Sequence, residues 1–426
     1  MTSLRAATRH TFRSLQGRNF RLFFVGQAVS QTGTWLQLIG QTLLVLRLTH
    51  SGVALGVVTA AQFLPILVLG AWGGVVTDRV DKRRLMMVTQ SVMMVLALVL
   101  GTLVLSGHAT VNWVYLLALL TGVVNAFDNP ARRVLVNELV PEEDIANAVS
   151  LNSTLMTGSR TVGPAVAGIL VATVGIGWCF VINGLSFVAV LVALWSMDPA
   201  SMRVGARSAK GEKGQLRAGL RYVWATEELR VPLLMLAAVT VLAFNFQVLT
   251  PLFAVRTLGG GTGAYTALAS MTSAGAVIGS LWLARREALT TRFLAAACVA
   301  FGASSVLFAL SPSLVLASLS GVLVGTSSIV LLSGTNAVLQ LRASPEMRGR
   351  VLALFTVVFF GSTPIGGPIA GWMAEAFGVR VALTVGAATA LLSGAIVLVT
   401  TRAGRLRVRP ASVEPEPVDP EVLAAA

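Results

Sequence analysis

The chain has 426 residues, of which 55% are hydrophobic and 12% charged, against about 25% charged in a soluble domain, which excludes a cytosolic enzyme. Its net charge of +14 is scattered between apolar runs and forms no continuous face, which excludes nucleic acid as the partner. Cys179 and Cys298 lie in or beside apolar runs, so neither a disulfide framework nor a thiolate metal site is expected.

Residues 1–19 form a basic arm with Arg5, Arg9, Arg13 and Arg18 and no apolar centre. The first span, uncleaved, should therefore direct insertion. Apolar runs broken by Gly, Pro and charge predict six spans over 20–46, 52–77, 85–105, 111–137, 145–171 and 176–197. Each is near the ~20 residues that cross a ~30 Å hydrocarbon core. The polar stretch 198–228 reads as a linker. Six more spans follow at 229–255, 263–284, 291–310, 314–341, 347–375 and 379–401. Residues 402–426 hold too few large apolar side chains to fold. The expected fold is an all-α membrane protein of twelve transmembrane helices in two six-helix bundles, 20–197 and 229–401.

Charge orients this array. With both termini and the even-numbered loops on one side, that side holds 28 of the 32 basic residues and the other holds Arg47, Arg256 and Arg380, leaving Arg160 inside the membrane. The positive-inside rule then places both termini in the cytoplasm of a cell (inner) membrane. The basic segments, including Arg402 to Arg409, suit anionic lipid head groups.

The halves repeat. Gly163-Pro164-Ala-Val-Ala-Gly168 and Gly366-Gly367-Pro368-Ile-Ala-Gly371 lie 203 positions apart, as do Gly175 and Gly378. A six-span repeat in one orientation is the pattern of transporters with a central site between two bundles.

Three sequence stretches add a family likeness. Gly74-Val-Val-Thr-Asp78-Arg79-Val-Asp81-Lys82-Arg83-Arg84 resembles the signature of the major facilitator superfamily, with Asp81 where the second Gly usually stands. Phe127-Asp128-Asn-Pro-Ala-Arg132-Arg133 through Asn152, with Asn336 to Gln340 and Arg348-Gly-Arg350, is similar to the branch containing the enterobactin exporter and macrolide efflux proteins. That resemblance implies alternating access, a small-molecule substrate, and efflux coupled to proton entry, with the proton gradient as energy source. No cofactor is expected: the chain has no phosphate-binding Gly-x-x-x-x-Gly-Lys-Ser/Thr loop for ATP, and His10, His50 and His108 lie outside the spans.

Polar residues at bilayer depth are functional candidates, because each ionisable group there costs about 2.5–3.5 kcal/mol to insert. Arg160, 15 residues into the fifth span, reads as a substrate contact, as a partner for a proton-carrying acid, or as a structural cation. Gln27, Gln31, Thr34 and Gln41 form one stripe of the first span, a wet cavity wall or an interhelical hydrogen-bond seam. Asn245 and Gln247 are their counterparts in the seventh span, with Trp35 and Phe244 as apolar wall. Asp128 with Arg132 reads as a gate pair or a proton carrier, and Gly74, Asp78, Arg79, Lys82, Arg83, Arg348 and Arg350 read as the rest of a cytoplasmic gate. Asp78 should meet the start of the eleventh span, where the helix N-terminus, Arg348 and Arg350 attract a carboxylate. Glu375 reads as an interfacial acid. The functional expectation is a proton-coupled exporter of amphipathic drug-like or siderophore-like molecules; an uptake symporter and a non-transporting scaffold or sensor are the alternatives.

Overall fold

The computed structural model describes residues 12–203, 215–286 and 288–402; they form fourteen α-helices and no strand. In chain order these are α1 (Arg18–Thr49), α2 (Gly52–Arg79), α3 (Lys82–Leu105), α4 (Val111–Glu138), α5 (Ile145–Thr173), α6 (Ile176–Trp195) and α7 (Gln215–Ala225). Then come α8 (Glu227–Leu242), α9 (Phe246–Leu252), α10 (Thr262–Ala284), α11 (Thr291–Leu310), α12 (Leu314–Arg342), α13 (Pro345–Ala376) and α14 (Val379–Arg402). Local chemistry starts many of them. Ser51, Asp81, Thr110, Thr290 and Ser313 each turn a side-chain oxygen onto a backbone N–H of the first turn of the helix that follows, satisfying donors that lipid cannot.

Eleven helical segments are long and apolar enough to span a bilayer, and the one that matches the seventh expected span runs through α8 and α9. At 32 residues α1 is long enough, but its four glutamines and its hydroxyls keep it out of that set. The eighth to twelfth expected spans correspond to α10–α14. The seventh differs from expectation: its helix breaks at Ala243–Asn245, where Asn245 Nδ2 donates to the Val241 carbonyl at 2.8 Å. The side chain takes a carbonyl that the next turn would otherwise have used. The stretch expected as linker holds helix α7, whose Gly219 and Val223 face inward against α13 and its neighbours. Expectations about residues 1–11, 204–214 and 403–426 lie outside the described residues.

The repeat is visible in the packing. Helix pairs α1–α6, α2–α4, α3–α4, α3–α6 and α1–α5 have counterparts in α8–α14, α10–α12, α11–α12, α11–α14 and α8–α13. Equivalent glycines allow equivalent close approaches: Gly73 and Gly122 join α2 to α4, and Gly275 and Gly325 join α10 to α12, each lying against a backbone carbonyl of its partner helix. Lipid supplies no hydrophobic drive between helices, so such close backbone contact is what holds them. Gly175 and Gly378 both stand at φ 91 immediately before α6 and α14, a conformation an L side chain resists.

Candidate functional site between the two bundles

Two helix pairs related by the repeat, α2–α13 and α5–α10, form most of the contact between halves. The face at which α1 begins, with Arg79, Lys82, Arg83 and Arg348, is the basic face. Away from it, the halves are closed. A Cβ on Gly56 would lie 2.5 Å from the Gly367 carbonyl oxygen, and one on Gly371 would collide with the Gly52 carbonyl. Gly168 lies against Thr266 of α10, and Gly163 against Trp35 of α1. The Pro164 ring is buried beside them, and Gly366 faces Val241 and Asn245 within its own bundle. Glu375 is more than an interfacial acid. It sits at the end of α13 and accepts the Val53 N–H at 3.3 Å, so it caps the N-terminus of α2 across the seam, where the helix dipole favours a negative charge. Arg256 adds a second crossing bond, to the His50 carbonyl. Midway along, Phe63 of α2 stacks on Phe360 of α13 with centroids 6.1 Å apart.

Toward the basic face the seam is parted. A Cβ on Gly74 or Gly158 would meet nothing within 4 Å. Asp78 and Arg79 are exposed, and among the described residues neither forms an ion pair. The expected contact of Asp78 with Arg348 and Arg350 is therefore not made in this conformation. Arg348 is exposed, and Arg350 turns to the Met347 sulfur at 3.3 Å. Lys82 and Arg83 also differ from a gate between halves. Lys82 Nζ lies 3.7 Å from Glu138, and Arg83 donates to the Leu194 and Trp195 carbonyls at 2.6 and 3.0 Å, holding the C-terminus of α6 inside the first bundle.

Asp128 is likewise internal to one bundle. It is fully buried and accepts hydrogen bonds from Thr89 Oγ1 (2.6 Å), Gln90 Nε2 (2.8 Å) and Arg132 Nη2 (2.5 Å). Expected near the cytoplasmic edge as a gate pair with Arg132 or as a proton carrier, it keeps Arg132 as a partner and also clasps α3 to α4. The sequence reading overlooked Thr89 and Gln90, whose adjacent polar side chains in an apolar run were the available signal.

Of the polar stripe on α1, Gln27 and Gln41 are buried and Gln31 is half-buried. Gln31 donates to Gln27 Oε1 at 3.5 Å, and Gln41 accepts from Gln62 of α2 at 3.2 Å. The Nε2 atoms of Gln27 and Gln41 are buried with no hydrogen-bond partner among the described residues. Thr34 is exposed and bonds back to the Ser30 carbonyl. Gln41, Gln62, Thr59 and Gln247 together wall a narrow void beneath the closed seam. Gln62 was missed, although it is the one amide in α2. Phe244 packs 5.0 Å from Phe301 in the second bundle, and Asn245 serves the helix break, so neither forms an open cavity wall.

Arg160 lies midway along α5. Its helical direction falls between those of Gly163, Pro164 and Ala167, all buried against neighbouring helices, yet Arg160 is exposed. A residue on a buried face that is itself exposed faces a gap, and here the gap is where the halves part. Among the described residues it has no hydrogen-bond or ion-pair partner.

With this architecture in view, comparison with known proteins is decisive at the family level. A family model described as transmembrane secretion effector matches residues 9–420. The chain belongs to this family of the major facilitator superfamily. The staphyloferrin A transporter of Staphylococcus aureus is 31% identical over 176 residues, 41% of this chain and 44% of that protein. A match to an uncharacterised Bacillus subtilis transporter, YfiS, covers 55% of it, so alignment spans about half the length of these two relatives. The multidrug efflux pump Tap of Mycobacterium tuberculosis is 25% identical over 393 residues, 86% of this chain and 89% of that one. Two solved transporter folds superpose closely. One is a bacterial homolog of the lysosomal transporter Spinster (TM-score 0.71, 15% identity, 90% of this chain and 96% of that one) and the other is the nucleoside transporter NupG (0.69, 11%, 90% and 99%).

Proposed function

We propose that this secretion-effector family member is an exporter of amphipathic small molecules that works by alternating access. One observation carries the reading: two repeat-related bundles are sealed along α2–α13 at one end and parted at the other, with unpartnered polar groups between them. The multidrug pump Tap, aligned along most of its length, supports export of drug-like molecules, and the staphyloferrin A transporter supports siderophore-like ones. The basic face is cytoplasmic, with both termini there, and α1 is the twelfth crossing helix; its amides are tolerable in lipid because Gln41 meets Gln62 of α2, Gln37 meets Asn183 of α6, and Gln27 and Gln31 meet each other. The conformation described then opens to the cytoplasm, ready to load.

The other state follows from geometry. α2 and α13 are antiparallel, and each carries a carboxylate at the end that points to the face where the other starts. Glu375 now caps α2; when the halves rock, Asp78 caps α13 near Arg348 and Arg350 while Gly74 admits the approach. Proton coupling, the usual energy source in this branch, belongs to the same reading, and Glu375 is charged while it holds the outer seam. The lipid-facing side of α7, with Arg217, Leu220, Arg221 and Trp224, lines a cleft of about 650 Å³ on the basic face and suits anionic head groups.

Three measurements test this. Everted vesicles carrying the chain should accumulate amphipathic dyes in a protonophore-sensitive way; uptake in the opposite direction would favour the symporter, and a dye panel moved no faster than in empty vesicles would leave only a scaffold. A cysteine replacing the exposed Gly107 should be labelled by an impermeant maleimide from outside intact cells, against a quiet background because both native cysteines are buried. Labelling only after permeabilisation would refute the orientation. Asp78→Asn should insert normally and lower transport about tenfold, by weakening a charge-assisted bond made in the alternate state; unchanged rates would remove Asp78 from the cycle.

A further inference from the structure

The gap between the bundles holds a cation and no acid to balance it. Among the described residues, every acidic side chain except Asp128 lies at a helix end or in a connection, and Asp128 is enclosed by Thr89, Gln90 and Arg132 inside the first bundle. Arg160, in mid-helix, has no partner, although a guanidinium carries five donors in a planar fork suited to a carboxylate. A charge at this depth without a counter-ion is costly, so something outside the chain's own side chains should complete it. A donor lies nearby in the register. Gly163 abuts Trp35, and one turn toward the basic face stand Arg160 on α5 and Gln31 on α1, beside Gln27. Gln27 is 1% exposed and its amide nitrogen has no acceptor. Cation and amide N–H groups offer donors only, while Trp35 beside Gly163 and the Phe63–Phe360 pair on the α2–α13 seam supply apolar surface between the bundles.

We infer that the transported molecule is an amphipathic anion whose carboxylate, or a similarly flat oxyanion, pairs with Arg160 and the Gln27–Gln31 amides while its apolar body lies along the aromatic wall. This rests on the exporter reading and narrows its substrate class; it also separates this chain from a carrier of lipophilic cations, which would need an acid where Arg160 stands. The small-anion alternative fits less well, because a small dianion would leave the Trp35, Phe63 and Phe360 rings wet.

Two dyes of one xanthene scaffold make the test: carboxyfluorescein, an anion, and rhodamine 123, a cation. Binding to the purified full-length protein is measured by fluorescence anisotropy at fixed ionic strength. The wild type should bind carboxyfluorescein at least about tenfold more tightly than rhodamine 123. Arg160→Gln should weaken carboxyfluorescein by about 10- to 100-fold, the loss of a charge-assisted bond, and Arg160→Lys should retain part of it. Neither variant should weaken rhodamine 123 or lower the unfolding temperature, which separates a lost site from a lost fold. Preference for the cation, equal anion affinity in Arg160→Gln, or no carboxyfluorescein binding would each overturn the anion inference. None of these results touches the exporter reading, which stands or falls on dye movement in everted vesicles.

Discussion

Asp128→Leu should destabilise the protein by about 3–5 kcal/mol, the cost of breaking a buried ion pair from one side. The carboxylate is fully buried and receives three donors, from Thr89, Gln90 and Arg132. Removing it strands all of them at once. Little slack exists to absorb the change, since Arg132 Nε and Gln90 Oε1 already lack partners. An Arg132 charge left behind α3 would draw water into the bundle or force α3 and α4 apart. The double variant Asp128→Leu, Arg132→Met removes the charge with its partner and should recover most of the loss, because apolar pairs of similar volume often replace buried ion pairs at little cost. Thermal unfolding in detergent, followed by tryptophan fluorescence, reads both. A wild-type unfolding temperature in Asp128→Leu would refute the clasp; a double variant as unstable as the single one would show that packing, rather than charge, sets the cost.

The long apolar runs made the bundle legible, because lipid demands that every backbone group bond within its own helix. Composition therefore located α2 to α6 and α10 to α14 closely. The break at Ala243–Asn245 was invisible to the same reasoning, since a single asparagine in an apolar run looks like a cavity residue until its bond to the Val241 carbonyl is seen. Arg160 was readable as a mid-membrane cation, but whether it had a partner depended on which helices surround α5. The enclosure of Asp128 by Thr89 and Gln90 was hidden for a related reason: depth along one helix says how far a side chain lies from an edge, not which neighbours close over it. Asp78 and Glu375 show a third limit. Sequence motifs drew attention to Asp78, whose expected contact is not made here, and away from Glu375, which holds the seam. A sequence is shared by all states of a transporter; a contact is not.

Gly371→Leu should leave both bundles folded and reduce transport to about a tenth or less, by preventing closure at the outer end. At Gly371 a Cβ already collides with the Gly52 carbonyl oxygen, and at Gly56 it would lie 2.5 Å from that of Gly367. Those obstacles are backbone, so no rotamer change relieves them. Overpacking of this kind costs about 1–3 kcal/mol, and each 1.4 kcal/mol shifts a two-state equilibrium about tenfold. The state lost is the one in which Glu375 caps α2, so the molecule should come to rest open to the outside with Asp78 against α13. A cysteine replacing Gln62, which walls the void beneath the seam, should then be labelled from outside about 10- to 100-fold faster than in a Gly371 background. Gly275→Leu is the control. Its Cβ would strike the Val322 carbonyl within the second bundle, so it should lower the unfolding temperature without favouring either state. If Gly371→Leu behaved like Gly275→Leu, losing stability with no change in labelling from outside, the α2–α13 contact would be ordinary packing and the rocking of the halves about it would fail.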